Sequence, residues 1–514
     1  MKYFMPDSND VIDPTFDPVT ESRSPDLLAR DKLYCHEVLP RPYNGMLISY
    51  TAVTHGRYSA AARRRLLRSG AHEFFRSPTW IEVMGDCGAF SYIGEDVPPY
   101  TVNEVADFYT QAQVNYGLAV DHIVPGFTLD NGATPTPEAL RRYELTLALA
   151  ADFLCAAKGR AFEPVGVVQG YSPESFARAA AHLQKLGYTY LALGGLVRLK
   201  NAEIVAILEA VNERRDAATR VHLLGVARPG QAQIFSDLGV SSFDSTSPLR
   251  RAWMDGRKNY WLGNETFCAL RIPPSTSPRI RDYPPAINLE ARALERVAAY
   301  ADRRCDLSEA LEALLGYGKL HSPNEDRTRD YTATLTARPW ERCSCAVCKR
   351  LGHHVVLLRG AERNRPRGFH NVAQFYTGML HELGEPVLVL VGCGSAKRDV
   401  PTCAGDMYTG SLFRAHRKIA DSYRAPMMIL SAKHGVISSR QVIEPYNSVL
   451  TTDTVTVWER AVLEQLAWLP EGSRVVALAG KRYLGWTDRL SGVNVEQPLA
   501  GKTLGARLAI AAAM

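Results

Sequence analysis

Three thiols crowd one short stretch of this chain, Cys343-Ser-Cys345-Ala-Val-Cys348, and an imidazole follows 22 residues later in Gly-Phe-His370-Asn371. Three thiolates and one imidazole fill all four positions of a tetrahedral zinc site and leave none open for a substrate. The Zn2+ so held is expected to be structural, adding on the order of 10 kcal/mol to folding and doing no bond chemistry. His353 and His354 are nearer in sequence and compete with His370 for the fourth position. A second group of residues stands where apolar runs end: Asp86 before Cys87-Gly88, Asp121 beside His122, Gln169 before Gly170, the trio Gly194-Gly195-Leu196, and Asp244 before Ser245. Any one aspartate in such a place is most simply a helix N-cap or a turn former. Five such ends in one half of the chain point instead to a shared pocket that holds carboxylates, an amide and a glycine pair.

The elements that must position these groups alternate. Between residues 45 and 245, β-branched runs at 45–53, 79–86, 117–124, 163–170, 188–195, 221–227 and 240–245 are separated by amphipathic segments such as 137–159 and 172–187. Near-continuous apolar strands with helical crossovers imply buried parallel strands. Seven runs with a degenerate eighth fit an α/β fold of the (β/α)8 TIM-barrel type better than an open doubly wound sheet. In such a barrel the chemistry collects at the carboxyl ends of the strands. Helices surround the cysteine cluster from about 260 to 384, which reads as a zinc-binding insertion, so the barrel domain is expected to run over 41–384. The acidic, Pro-rich start reads as an extension, residues 1–40, that wraps the surface or stays mobile.

A second alternation begins near 385 and predicts a smaller C-terminal α/β, Rossmann-like domain over 385–514. Its polar residues also follow strands: Cys393, Ser395 and Lys397, then Lys433 and His434, then Lys481 and Tyr483. A glycine-flanked loop with lysines could bind phosphate or a nucleotide end. Basic loops could equally dock a partner, and Cys393 with His434 could form a nucleophile pair.

With 514 residues, two or three domains are expected. An apolar fraction of 46%, a charged fraction of 22% and a net charge of +6 describe a folded soluble chain that permits a nucleic-acid partner without demanding one. Ten dispersed cysteines, no signal-peptide pattern and no apolar run long enough for a bilayer predict a reducing, cytoplasmic protein with no membrane partner. Arg359, Arg363, Arg365 and Arg367 crowd the loop between the cysteines and His370; a solvated charge run and a phosphate-contacting arm both fit them. Arg63, Arg64, Arg65 and Arg68 read as a solvated helix face.

The motifs GDCGAF, VVQG, LALGGL, FDSTSPLR and Cys-x-Cys-x2-Cys with His-Asn, taken in order over roughly 45–380, resemble the tRNA-guanine transglycosylase superfamily, and within it the DNA-modifying DpdA branch of phages and bacterial genomic islands. The resemblance implies a barrel enzyme that exchanges guanine in DNA for a 7-deazaguanine such as preQ0. It implies Asp244 as nucleophile, Asp86 as general acid/base, and Asp121, Gln169, Gly194, Gly195 and Leu196 as contacts to the base. It also favours His370 over His353 and His354, because His370-Asn371 opens an apolar helix as in the transglycosylases. Cys87 stands where the family has serine, and His-Ile-Val after Asp121 departs from the tRNA enzymes' pattern. The chemistry suits these types: a carboxylate can attack C1′ and hold a covalent sugar, while a second exchanges the proton. An enzyme acting on tRNA, and a non-catalytic zinc-stapled subunit that binds nucleic acid, are the alternatives.

Overall fold

Eight parallel strands close into a barrel in the computed structural model, which describes residues 1–513 apart from 40, 57, 79, 80, 279, 424, 426, 440, 468, 470 and 471. They are β1 (Lys2–Pro6), β2 (Gly45–Ser49), β3 (Glu82–Asp86), β4 (Tyr116–Leu118), β5 (Glu163–Val168), β6 (Tyr190–Leu193), β7 (Arg220–Leu223) and β8 (Val240–Asp244). Thr79 and Trp80, which open the second apolar run, lie outside the described residues. Crossover helices include Pro137–Ala156 and Pro173–Leu186, each with proline in its first turn and a Thr136 or Ser172 side chain capping a first-turn N–H. By this closure the fold is the α/β TIM barrel that the alternation predicts.

The closing strand is the chain's own beginning, which corrects the reading of residues 1–40 as an extension outside the barrel. Lys2, Tyr3 and Phe4 pair with Ser242, Phe243 and Asp244, while Phe4, Met5 and Pro6 pair with Gly45, Met46 and Leu47. Five residues flanked by proline and acidic groups are too short a run to announce a strand, yet Tyr3 and Phe4 are fully buried. The Tyr3 hydroxyl donates to Ser245 O at 2.8 Å and its ring stacks on Phe243 at 5.2 Å. Phe375, in the short segment Asn371–Tyr376 that belongs to this unit, meets both rings edge-on.

Rings from non-adjacent strands fill the barrel: Phe4 meets Tyr116 at 6.3 Å and His222 at 5.9 Å, and Tyr116 meets Tyr190 at 5.5 Å. The amino ends of the odd-numbered strands carry charges in two ion pairs, Lys2 with Glu82 at 2.6 Å and Arg220 with Glu163. These pairs are partly exposed and worth little individually. They close the end of the barrel opposite to the strand-end aspartates.

The second compact unit comprises Gly256–His370 and Thr377–Met514. Its first part pairs Tyr260–Leu262 with Glu265–Phe267 and packs helices Pro285–Ala301, Leu307–His321 and Thr328–Ala337 in succession. Three of the four crowded arginines are buried here, which corrects both the solvated and the phosphate-arm readings. Arg359 pairs with Glu290 at 2.5 Å, and Arg367 donates to Val355 O, Leu357 O and Asn364 Oδ1. Arg365 is half-buried. By contrast Arg64 and Arg68 are exposed, and Arg65 lies over the Phe74 ring at 4.5 Å.

The second part is a five-stranded sheet of β9 (Leu388–Gly392), β10 (Met427–Ser431), β11 (Gly435–Ser438), β12 (Arg474–Leu478) and β13 (Asn494–Glu496), in the order β11-β10-β9-β12-β13. Only β11 runs antiparallel to its neighbour. Among the described residues no helix is long and apolar enough to cross a membrane.

Tyr3→Phe removes the donor to Ser245 O and is expected to cost about 1 kcal/mol in denaturant unfolding. Removing residues 1–6 uncovers both β2 and β8 and is expected to abolish the cooperative transition; a truncated chain that unfolds like the full one would show that β1 is dispensable.

Candidate functional site

Strand ends of the barrel open on a cavity of about 850 Å³ whose lining includes Ser49, Asp86, Gly88, Gly225, Asp244 and Arg250. Asp244 ends β8 and is 6% exposed. Its Oδ1 accepts from the Gly225 N–H at 2.8 Å and from His222 Nε2 at 3.1 Å. Its Oδ2 has no hydrogen bond among the described residues. His222 is held in turn from the other side: Nδ1 lies 2.6 Å from Ser242 Oγ, and that hydroxyl also bonds the Tyr190 hydroxyl. A consistent proton order runs from Tyr190 to Ser242, from Ser242 to Nδ1, and from Nε2–H to Asp244. That order fixes one tautomer of the ring and one orientation of the carboxylate.

Asp86 ends β3 and faces the same cavity, only partly exposed within its walls. Burial, and beside it the negative charges of Asp121 and Asp244, push its carboxyl up to about 7, against the pull of the Gly88 N–H and the Ser49 hydroxyl. Gly88 is required here: its φ of 91° is left-handed, and a Cβ would run into the Thr51 hydroxyl and approach Ser49 Oγ to 2.7 Å.

Asp121 lies just beyond β4 and is 3% exposed. Its Oδ2 accepts from the Gln169 amide at 2.7 Å and its Oδ1 from the Cys87 thiol at 3.1 Å. Burial raises the Asp121 carboxyl, and it also raises the Cys87 thiol, which stays protonated and able to donate. Tyr92 and Tyr100 brace this group by donating to Asp121 O and Cys87 O. Gln169 Oε1 is buried without a hydrogen-bond partner among the described residues, an acceptor waiting for a donor. Gly194 and Gly195 pass so close to the Gln169 amide that a side chain on either would displace it. The two glycines are not equal donors, however. The Gly194 N–H is spent on Val168 O at 2.9 Å, which removes it from the expected pair of ligand-facing donors.

The cysteine cluster forms a separate centre in the second unit. Cys343, Cys345, Cys348 and His370 bring their ligand atoms within 4.8 Å of one another, while His353 and His354 lie against each other, their rings tilted, outside the group. Sulfur-to-Nδ1 distances of 3.5, 3.5 and 3.4 Å fit a metal at the centre. Tetrahedral bonds of about 2.3 Å to sulfur and 2.0 Å to nitrogen require about 3.5 Å between those atoms. The other ring nitrogen, Nε2, meets Trp261 O at 2.5 Å, and Tyr260 stacks on the ring at 4.2 Å. These contacts orient the imidazole as a second coordination layer does. The four side chains can therefore hold a metal ion.

Sequence reasoning missed His222, Cys87 as a donor to Asp121, and the tyrosines around them. A lone histidine in the apolar run VHLLGVA, on the strand beside the one carrying Asp244, was the available signal.

Residues 111–281 match a family model described as queuine tRNA-ribosyltransferase, and residues 388–513 match a family of unknown function (DUF6884). A DNA-guanine transglycosylase from Salmonella montevideo is 40% identical over 405 residues, covering 74% of this chain and 97% of that protein.

An aspartate that titrates near 7 in the fold and near 3.9 when unfolded holds its proton more tightly in the fold. Its stabilising contribution is full below about pH 4 and is lost as pH rises toward 7. Unfolding free energy is expected to fall across that window, and Asp86→Asn, which cannot titrate, is expected to lessen the slope. An unchanged slope would return the carboxyl to its ordinary range.

Proposed function

The chain belongs to the guanine transglycosylase family, and on that premise we propose that it exchanges guanine in DNA for a 7-deazaguanine base such as preQ0 through a covalent Asp244–sugar intermediate. The observation that carries the reading is the division of labour between two carboxylates on one cavity. Asp244 has one oxygen tied down and the other open, and Asp86 titrates near neutrality.

The target nucleotide first leaves the duplex stack, which costs a few kcal/mol that pocket contacts offset. Asp244 Oδ2 then attacks C1′ as the bond from C1′ to N9 breaks through an oxocarbenium-like transition state. The bonding electrons leave with guanine, which takes the Asp86 proton. Asp86, now a carboxylate, takes the proton from N9 of the incoming base; N9 attacks C1′ and the Asp244 ester bond breaks. Two displacements at one carbon restore the original configuration. A group near 7 is suited to both halves, because acid and base forms are comparably populated at neutral pH.

The paired Asp121 and Gln169 support recognition of a guanine-like edge. One carboxylate and one unpaired amide oxygen offer acceptors to ring and exocyclic N–H donors. Gly195 and Leu196 remain as backbone donors to the base's carbonyl oxygen. Cys343, Cys345, Cys348 and His370 would hold a structural zinc, which takes no part in the exchange. Ten free cysteines support a cytoplasmic setting. The tRNA reading is favoured by the family model over 111–281.

Incubation with labelled preQ0 and either duplex DNA or tRNA separates the readings: label is expected in DNA, and label in tRNA alone would overturn the DNA assignment. Asp244→Ala is expected to abolish incorporation and the trapped protein–DNA adduct; undiminished incorporation would remove Asp244 as nucleophile. His222→Phe keeps the ring but loses the bond to Asp244, and is expected to lower kcat by about 100-fold with little change in KM. Cys345→Ala is expected to release the metal, read by elemental analysis, and to lower Tm.

A further inference from the structure

The carboxyl ends of β9, β10 and β12 carry a cluster of polar side chains that base exchange does not use. β9 is the first strand of its sheet, and β10 and β12 lie on opposite sides of it, so the chain turns one way and then the other from its end. Such a reversal leaves a crevice beyond the strand ends, where open α/β sheets take their ligands. Three loops lead into it: Cys393 to Lys397 after β9, Lys433 and His434 after β10, and Lys481 to Tyr483 after β12.

Tyr446 gathers the first two of these loops. Its hydroxyl bonds Ser431 Oγ at 2.8 Å and the Tyr408 hydroxyl at 2.7 Å. Lys397 Nζ stands 4.6 Å from its ring centre, Lys433 Nζ 5.8 Å, and the His434 ring 5.4 Å. Neither lysine has a carboxylate within ion-pair distance among the described residues; the Lys397 ammonium donates to Ser395 O at 3.3 Å. His434 Nε2 is buried without a hydrogen-bond partner among the described residues. The Cys393 thiol bonds the Tyr483 hydroxyl at 3.2 Å rather than His434, so the nucleophile pair is not formed.

Two ammonium groups gathered on one aromatic ring repel each other unless an anion lies between them. Together with an imidazole nitrogen and hydroxyls they supply donors for more oxygens than a carboxylate has. We propose that this cluster binds a phosphate group, with Lys397 and Lys433 neutralising it and His434 and the Tyr446 hydroxyl network orienting it. A free nucleotide and a nucleic-acid backbone both present that chemistry. All of these residues belong to the second unit.

The full chain is titrated by calorimetry with thymidine monophosphate, chosen because it lacks a guanine edge, and with duplex DNA over a salt series. Wild type is compared with the Lys397→Ala/Lys433→Ala double variant. Both lysines are at the surface, and unchanged metal content and Tm confirm that the variant is folded. If the source is a free nucleotide, wild type binds the monophosphate and the variant loses about tenfold or more. If the source is a nucleic-acid backbone, the monophosphate is not bound. The slope of log affinity against log salt for DNA then becomes shallower in the variant, by about 0.9 for each phosphate that the lysines no longer neutralise. A variant that treats the monophosphate as wild type does, with an unaltered salt slope, overturns the proposal.

Discussion

Three carboxylates enclosed at one end of a barrel cannot all carry charge at no cost, and the surroundings of each resolve that conflict differently. Asp121 receives two donors, an amide and a thiol kept protonated by its own burial. Asp244 receives a backbone N–H and an imidazole. Asp86 is pulled down by the Gly88 N–H and the Ser49 hydroxyl, but burial and the Asp121 and Asp244 charges outweigh them, and it keeps its proton to near neutral pH. Neighbouring acids with diverging environments are what a displacement needing both a nucleophile and a proton carrier demands. The separation of roles is a property of the group, and moving any one charge would retune the others.

The scaffold isolates this end from the rest. Aromatic rings plug the barrel interior, and two ion pairs close the far end. The line from Tyr190 through Ser242 and His222 to Asp244 ties a strand-end group to the packed interior, so the core sets the carboxylate orientation together with the Gly225 N–H. The metal-binding cluster is built by the same logic in its own unit, with Trp261 O and Tyr260 orienting the imidazole.

What could be read from the sequence follows from which physics is local. Strand–helix alternation is written in residues a few positions apart, and so the barrel type is legible. Cys343, Cys345 and Cys348 are recognisable because their spacing is itself the constraint. Asp86 and Asp244 stand out because polar residues end five apolar runs in one half of the chain, although each alone is an ordinary cap or turn former. The first strand is not legible: Lys2–Pro6 is a strand only because β2 and β8 flank it. Arg359 and Arg367 carry no local mark of burial, since the carbonyls and the carboxylate that accept them come from elsewhere in the fold. His222 looks like any core histidine until β8 brings Asp244 beside it.

The pairing of Tyr3 with Phe243 sets a clock on synthesis. The residues of β1 leave the ribosome well before β8, and one edge of their strand stays without its partner until that strand has emerged. At about 5 to 20 residues per second that wait is on the order of 10 to 50 s. A pairing that spans so much chain is also slow to find once available. Through that interval the nascent chain carries an open strand edge able to pair with a neighbouring copy. The brevity of Lys2–Pro6, ended by proline and followed at once by acidic residues, limits how far such a mispairing can spread.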